Sequence, residues 1–451
     1  MKILFLTHLY PPNHIGGTEN YTHGLAKGLI QAGHQVNVLC VQEWAQGGRY
    51  WNGYADDVYE GVSVRRLHLN WTKAPDVNRY LYDNPLVAQH LKEYLAEWQP
   101  DIVHVTSCTT LSASVIAVAK QAGLPVVVTL TDFWFICPRV NLVRGDGSQC
   151  DGQKTAKECL RCMSMGSKIY QIPSRVLPKS KTDDFLDIVS HRPFLTNHRG
   201  LRGMVMDMTH RKEFLHEALS SADVVIAPSV FLKDVFSKNG FTMPIQVMPY
   251  GHDLSWLAKI ADKKPSELIR FGYMGQIIPI KGVHVVLQAF VNTKADAKAS
   301  LSIFGDLHKD PAYAQQLQRI ASGHSNIHFE GAFTHERLGD VLSQLDMVIV
   351  PSLWSENNPL VIQEAFAAKV PVIATALRGL SEFVQSETNG LLFNLGDIDD
   401  LARQLLRVIN EPGLLERLGA GISAVKDIAE SVTELLTVYR ELGNLVIGII
   451  S

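Results

Sequence analysis

The sequence predicts an α/β protein made of two Rossmann-like, doubly wound domains, and three observations carry that reading. At 451 residues the chain exceeds the size at which a single hydrophobic core usually keeps growing. Short apolar, β-branched runs alternate with stretches of helical periodicity, which implies right-handed crossovers and parallel sheets covered on both faces. The alternation runs once, breaks at a glycine turn near residue 250 and then starts again, with no short fixed period that would suggest a solenoid.

The first domain is expected over residues 1–250. Its strands are read at Ile3–Leu6, Val36–Val41, Ile102–Val105, Val126–Leu130 and Val224–Ala227. Between the first two, Tyr21, Leu25, Ala26 and Leu29 share one face of a helix that Gly33 stops. From Asp132 to about His216 no clean strand is visible, and the stretch reads as an elaborated loop facing the cleft. Val247 to Asp253 reads as a strand ending in a turn, with the hinge just after it. The second domain, 251–425, has strands expected at Leu268–Gly272, Leu301–Phe304, Ile327–Glu330, Met347–Val350 and Val370–Ala374. Residues 426–451 carry a long helical pattern expected to pack back on the first domain.

Composition narrows the function. With 46% hydrophobic and 19% charged residues the chain is no disordered segment. A formal net charge of -3 gives no basic field for a nucleic-acid partner. The apolar run at Ile3–Leu6 is too short for a secretory leader, and nothing approaches the ~20 apolar residues of a membrane span. A cytoplasmic protein with reduced thiols is expected, with peripheral contact at the inner face of the membrane as an option.

Two loops at strand ends carry candidate chemistry in the second domain. Pro351 to Glu364 follows a strand and opens a helix, with Asn358 suited to the N-cap and Pro359 to the first turn. The exposed amides of such a helix start receive an anion or sugar hydroxyls. Glu356 stands before the helix and Glu364 inside it, so the two carboxylates reach different parts of one ligand. In Gly275-Gln276-Ile277-Ile278-Pro279-Ile280-Lys281-Gly282, Lys281 is placed to neutralise a leaving diphosphate. In the first domain, Gly16-Gly17 between a strand and a helix lets the backbone approach a phosphate. Each piece alone also fits an ordinary surface turn.

Together, in this order and spacing, these pieces resemble glycosyltransferase family 4, retaining group 1 enzymes of the GT-B fold. The resemblance rests on the E-x7-E pair Glu356 and Glu364, the Pro11 to Glu19 loop, Gly33-His34-Gln35-Val36, and Gly272 to Phe393, and it spans nearly the whole chain. It implies two Rossmann-like domains facing a central cleft that takes a nucleotide-diphosphate sugar. It implies donor contacts at Gly16, Gly17, Gly275, Gln276, Lys281, Asn357, Asn358, Pro359, Leu360 and Glu364, with Gly331 and Phe333 as the guessed wall for the base. Catalytic roles fall to Glu356, Lys281 and Asp132, with no catalytic metal required. The chain departs from the family twice: Gln276 stands where Arg is usual, and Thr131 where a His usually precedes Asp132. His104 is a possible substitute base, although a histidine in an apolar strand is more often a satisfied core residue.

Two features remain. Cys137, Cys150, Cys159 and Cys162 fall in one stretch ending in Cys-Leu-Arg-Cys, which suits a structural zinc, an iron–sulfur cluster, or simply free thiols. Cys40 and Cys108 read as core. Arg192, Arg199, Arg202, Arg211 and Lys212 accompany Phe194, Leu195, Met204 and Met206, a pattern for anionic lipid, a phosphate-bearing acceptor or a plain solvated face. The expected activity is retaining transfer of a sugar from a nucleotide sugar to a hydroxyl acceptor, saccharide or lipid-linked, in polysaccharide, lipopolysaccharide or glycolipid assembly. The alternative is a non-catalytic sugar-nucleotide-binding protein of the same fold.

Overall fold

In the computed structural model, residues 1–43, 45–190, 192, 204–260, 263 and 266–450 are described. They form two compact units, Met1–Tyr250 with Ile428–Ser451, and Gly251–Asp427. The chain therefore passes from one unit to the other twice.

The first unit holds an eight-stranded sheet of β1 (Lys2–Leu6), β2 (Gln35–Glu43), β3 (Trp51–Tyr59), β4 (Val62–Leu69), β5 (Ile102–Val105), β6 (Val126–Thr129), β7 (Val224–Ala227) and β8 (Ile245–Val247). The spatial order is β3-β4-β2-β1-β5-β6-β7-β8. All neighbours are parallel except β3 and β4, which form an antiparallel hairpin at one edge. The sheet is thus mixed where sequence patterning predicts a wholly parallel one. The hairpin's turn, Glu60-Gly61, has positive φ at both residues (44° and 84°), the geometry that matches strand twist in a two-residue connection. The described residues of 132–216, read from sequence as a loop, include four helices: Ala156–Ser164, Lys168–Ser174, Lys179–Ser190 and Met204–Ser220, the last running past the segment's end. The strand expected over Val247 to Asp253 lies earlier, at Ile245–Val247.

The second unit holds β9 (Ile269–Met274), β10 (Ala299–Phe304), β11 (Ile327–Gly331), β12 (Met347–Val350), β13 (Val372–Thr375) and β14 (Gly390–Phe393). They lie in the order β11-β10-β9-β12-β13-β14, parallel at every recorded pair. This is the doubly wound arrangement, with its reversal of winding between β9 and β12. Successive residues of each strand face opposite sides, so both faces need apolar cover. In β12, Met347 and Ile349 enter one core with Phe271 and Leu301, while Val348 and Val350 enter the other with Met274 and Phe366.

The C-terminal helix Ile428–Ile450 completes the core of the first unit. Val432, Leu435, Tyr439 and Leu442 pack with Ile3, Phe5, Leu25 and Leu29. At the centre of this contact His104 is fully buried, its Nδ1 2.6 Å from the Tyr439 hydroxyl and its Nε2 2.7 Å from that of Thr129. Burial pulls the ring's pKa down to about 3, so it stays neutral with both nitrogens satisfied. His104 is a core residue and holds the helix on its sheet. Among the described residues, no helix is long and apolar enough to cross a membrane.

Tyr439→Phe removes one partner of a buried polar pair while keeping the ring. We expect a loss of about 1–3 kcal/mol in chemical denaturation, whereas a change at exposed Glu441 should have almost no effect.

Candidate functional site

The strand-end loops of the second unit meet at the β9/β12 reversal. The loop after β9 opens with Gly275 and closes in the short turn Pro279–Lys281 and Gly282. The loop after β12 runs from Pro351 to Pro359. Leu353 N–H donates to the Ile280 carbonyl at 2.9 Å, which fixes the two loops against each other. Gly282 sits at φ 73°, and a Cβ there would lie 2.1 Å from the Pro351 carbonyl oxygen, so only glycine fits this crossing.

The crossing carries Lys281 to Glu356. Lys281 Nζ donates to Glu356 Oε1 at 2.8 Å, and the Ser352 hydroxyl donates to the same oxygen. Lys281 also lies 5.5 Å from the centre of the Trp354 ring. The ammonium is thus held in place by one carboxylate and an aromatic face, and both it and Glu356 remain partly accessible. The helix that follows is Leu360–Ala367 and its N-cap is Pro359, with no side-chain cap. This corrects the placement of Asn358 as cap: the extended Pro359 (φ -71°, ψ 108°) takes the cap position and shifts the helix start by one residue. Asn358 Oδ1 and Trp354 Nε1 are buried without a hydrogen-bond partner, so polar capacity is left over beside the helix start. One turn in, Glu364 is partly buried, and burial pushes its carboxyl up to about 7. Gln276 contributes its carbonyl, which accepts from the Tyr273 hydroxyl at 2.7 Å. Gly331 takes φ 76° at the end of β11, and Phe333 packs edge-on to Phe304, 5.8 Å between ring centres.

A second group gathers at the β1/β5 reversal of the first unit. Gly16 is the N-cap of the helix Gly17–Gln31, and a Cβ on it would meet Glu19 Oε2 at 2.7 Å. His8 Nε2 stands 3.3 Å from Glu19 Oε1. Burial opposes ionisation of Glu19, but the hydrogen bond and charge of His8 prevail and keep its carboxyl below the usual range. Thr131, at the position where a histidine would be a base, donates its hydroxyl to the Thr106 carbonyl at 2.8 Å. Asp132 accepts the Trp134 amide at 2.7 Å, and burial raises its pKa. Thr106, Thr131, Asp132 and Trp134 line one small pocket.

All four clustered cysteines line one pocket together with Arg139 and Arg144. They are free thiols. As the side chains stand, no group of three or more His, Cys, Asp or Glu among the described residues is arranged to hold a metal ion. Cys40 and Cys108 are buried. The basic surface read from sequence is divided: Arg192 and Lys212 are exposed, but Arg211 is 4% exposed and belongs to the interior. Phe194, Leu195, Arg199, Arg202 and the Met204 side chain lie outside the described residues, and Met206 is exposed.

Known proteins fit this geometry. Residues 269–411 match the family model described as glycosyl transferases group 1, and residues 16–154 match that of the glycosyl transferase 4-like domain. The chain is a group 1 glycosyltransferase. An uncharacterized glycosyltransferase of Methanocaldococcus jannaschii is 22% identical over 457 residues, 98% of each chain. Two solved structures share the fold. Sucrose-phosphate synthase from Thermosynechococcus elongatus has a TM-score of 0.66 at 17% identity, covering 98% of this chain and 99% of its own. Anabaena HepE in complex with UDP and glucose has 0.58 at 18% identity, covering 97% and 99%.

For this glycosyltransferase, sequence reading selected Lys281, Glu356 and Glu364, and the transferase fold brings the first two into contact. It missed Ser352, Trp354 and the His8–Glu19 pair. Their spacing along the chain carries no periodic signal, although Glu19 stands one turn inside a predicted helix start.

Two outcomes test this geometry. Gly282→Ala should cost the second unit about 1–3 kcal/mol, because strain at positive φ adds to the clash with Pro351; its thermal transition should fall accordingly. Glu364 holds its proton in the folded state up to about 7, above the 4.5 of an unperturbed glutamate. Its contribution is therefore full below about 4.5 and is lost as pH rises through 7. Over that window wild type should lose about 2 kcal/mol relative to Glu364→Gln, read as a flatter pH dependence of melting in the variant.

Proposed function

We propose that this glycosyltransferase binds a nucleoside-diphosphate sugar on its second unit and moves the sugar, with retention, to a hydroxyl acceptor recognised by the first. The observation that carries the reading is the Lys281–Glu356 contact beside the open start of helix Leu360–Ala367. On donor arrival the diphosphate competes with Glu356 for the Lys281 ammonium, and the released carboxylate turns to the sugar hydroxyls. Leaving-group charge then grows next to a cation already fixed in place, so little reorganisation is needed at the transition state. The amides at the start of the helix add donors in the same direction. Glu364 takes the ribose diol. Its raised pKa suits this role, since a carboxyl with little water around it binds hydroxyls more strongly.

On the first unit, Asp132 orients the acceptor hydroxyl, and the amides at Gly16 and Gly17 face a phosphate. Thr131 is no base, because its hydroxyl is already committed to Thr106. The acceptor proton accordingly passes to the leaving phosphate on the front face of the sugar, as the resemblance to the retaining family implies. A neighbour of the same fold in complex with UDP and glucose supports a nucleotide sugar as donor. Polysaccharide, lipopolysaccharide or glycolipid assembly is the proposed setting.

Melting of the purified protein across a panel of sugar nucleotides tests the donor. One or more should raise the melting temperature, and Glu364→Ala should abolish the shift. Absence of stabilisation by every donor would sink the reading. With the responsive donor, Lys281→Ala should lower kcat by about 10²–10³-fold while leaving melting of the free protein nearly unchanged.

A further inference from the structure

The first unit contains a concentration of positive charge that the transfer reaction does not use. Arg139, Arg144 and Arg211 surround the pocket lined by Cys137, Cys150, Cys159 and Cys162. Each guanidinium is held by backbone carbonyls: Arg139 Nε donates to Val143 O at 3.0 Å, Arg144 Nη1 to Gln149 O, and Arg211 Nη2 to Trp134 O. Among the described residues, none of the three has a carboxylate at ion-pair distance. Arg211 is the extreme case. It is buried over the Trp134 ring, 5.1 Å from its centre, its Nη1 makes no hydrogen bond, and burial pulls its pKa down to about 10. A buried guanidinium left that way costs several kcal/mol, on the order of the penalty for breaking a buried pair. Glu158 is the one acidic side chain in the pocket lining.

The four thiols are delivered by a fold suited to gathering them. Cys159 and Cys162 sit at i and i+3 on the helix Ala156–Ser164, whose N-cap Thr155 hydroxyl accepts from Glu158 N at 3.2 Å. The long interval between Cys137 and Cys150 is folded back by a tight hairpin. Arg144 N donates to Ser148 O and Cys150 N to Leu142 O, both at 2.8 Å, and Val143 bridges Gln149. That hairpin also packs Gly145 against the helix beside Cys162: a Cβ there would meet the Cys162 carbonyl oxygen at 2.7 Å.

We propose that Cys137, Cys150, Cys159 and Cys162 bind one zinc ion as a tetrathiolate, with Arg211 as its buried counter-ion and Arg139 and Arg144 as the outer pair. Binding forms four Zn–S bonds of about 2.3 Å, releases the four thiol protons to solvent and leaves a dianionic cluster. Its negative charge supplies what buried Arg211 lacks, with exposed Arg139 and partly buried Arg144 at its rim. The sulfurs share the pocket without converging as they stand. Closing the shell requires the thiols to move together, and those of Cys150, Cys159 and Cys162 are only partly buried. Arg211 also ties the site to the acceptor side: the carbonyl it holds belongs to Trp134, whose amide donates to Asp132. The inference does not depend on the proposed donor chemistry.

The test uses the full chain, purified under reductant, stripped with chelator and titrated with Co²⁺. Thiolate charge-transfer and tetrahedral ligand-field bands should saturate at one Co²⁺ per chain and vanish on adding Zn²⁺. Cys159→Ser and Cys150→Ser should lose them, and Cys40→Ala, outside the pocket, should keep them. Should the serine variants fail to fold by circular dichroism, Arg211→Gln serves instead, with zinc affinity lowered about 10–100-fold. Stripping the metal should leave the donor-induced melting shift of the second unit intact, which separates this site from the donor reading. Absence of tetrahedral cobalt bands overturns the proposal. So does iron with acid-labile sulfide in the purified protein, or a Cys159–Cys162 disulfide in freshly lysed cells.

Discussion

Lys281 and Glu356 meet because β9 and β12 are neighbours. Phe271 of β9 lies opposite Met347 of β12, 76 positions later in the chain, because β10 and β11 are wound off to one side before the chain returns. Where the winding reverses, the loops leaving adjacent strands diverge to opposite faces and open a crevice that no helix covers. Here the divergence is held to a single close crossing, Gly282 over Pro351, which allows a lysine from one loop to reach a carboxylate of the other. Beneath it lie two apolar cores, one on each face of the sheet, and the central strand β12 is buried on both. Polar chemistry therefore has only the strand ends to occupy. The first unit repeats the arrangement, with His8 and Glu19 after β1 and Thr106 after β5.

Much of this was legible because buried parallel strands announce themselves as apolar runs. Ile102–Val105 and Met347–Val350 have the bounds their residues suggest. The edge hairpin was not legible, for an equally physical reason. β3 is solvent-facing and reads Trp51-Asn52-Gly53-Tyr54-Ala55-Asp56-Asp57-Val58-Tyr59, while β4 carries Arg65 and Arg66. The charges that hide these strands from a hydrophobic pattern are what join them. Arg65 pairs with Asp56 and is stacked between Tyr54 and Tyr94 at 4.2 and 4.0 Å, and Arg66 pairs with Asp57. At the site, residue types were readable but partnerships were not. Nothing in the order of residues says that Lys281 rests on Glu356 or that Thr131 is spent on Thr106.

The cysteine-bearing segment shows the same limit from the other side. Its composition marked it as unusual, and its helices escaped notice because they are short and separated by turns. Arg211 looked like one of several surface cations. Its burial changes the question from what it attracts outside to what balances it inside. A helix that contributes Arg211 to this interior also contributes Asp207, whose carboxyl accepts from the Tyr82 hydroxyl and is pushed up to about 6 mainly by burial. The segment is thus anchored to the rest of the first unit by groups that are costly to bury.

The helix Ile428–Ile450 has a consequence for how the molecule comes into being. His104 and Tyr439 are separated by 335 positions, and the core they join includes strands made long before this helix. While the chain emerges, that core lacks a side, and Ile3, Phe5, Leu25 and Leu29 have no cover from the C-terminal helix. The second unit, Gly251–Asp427, is contiguous and emerges whole before the first can close. The half begun first is completed last. Nascent chains must therefore carry an open apolar surface until this helix arrives, and a truncation that removes it uncovers the core of the first unit.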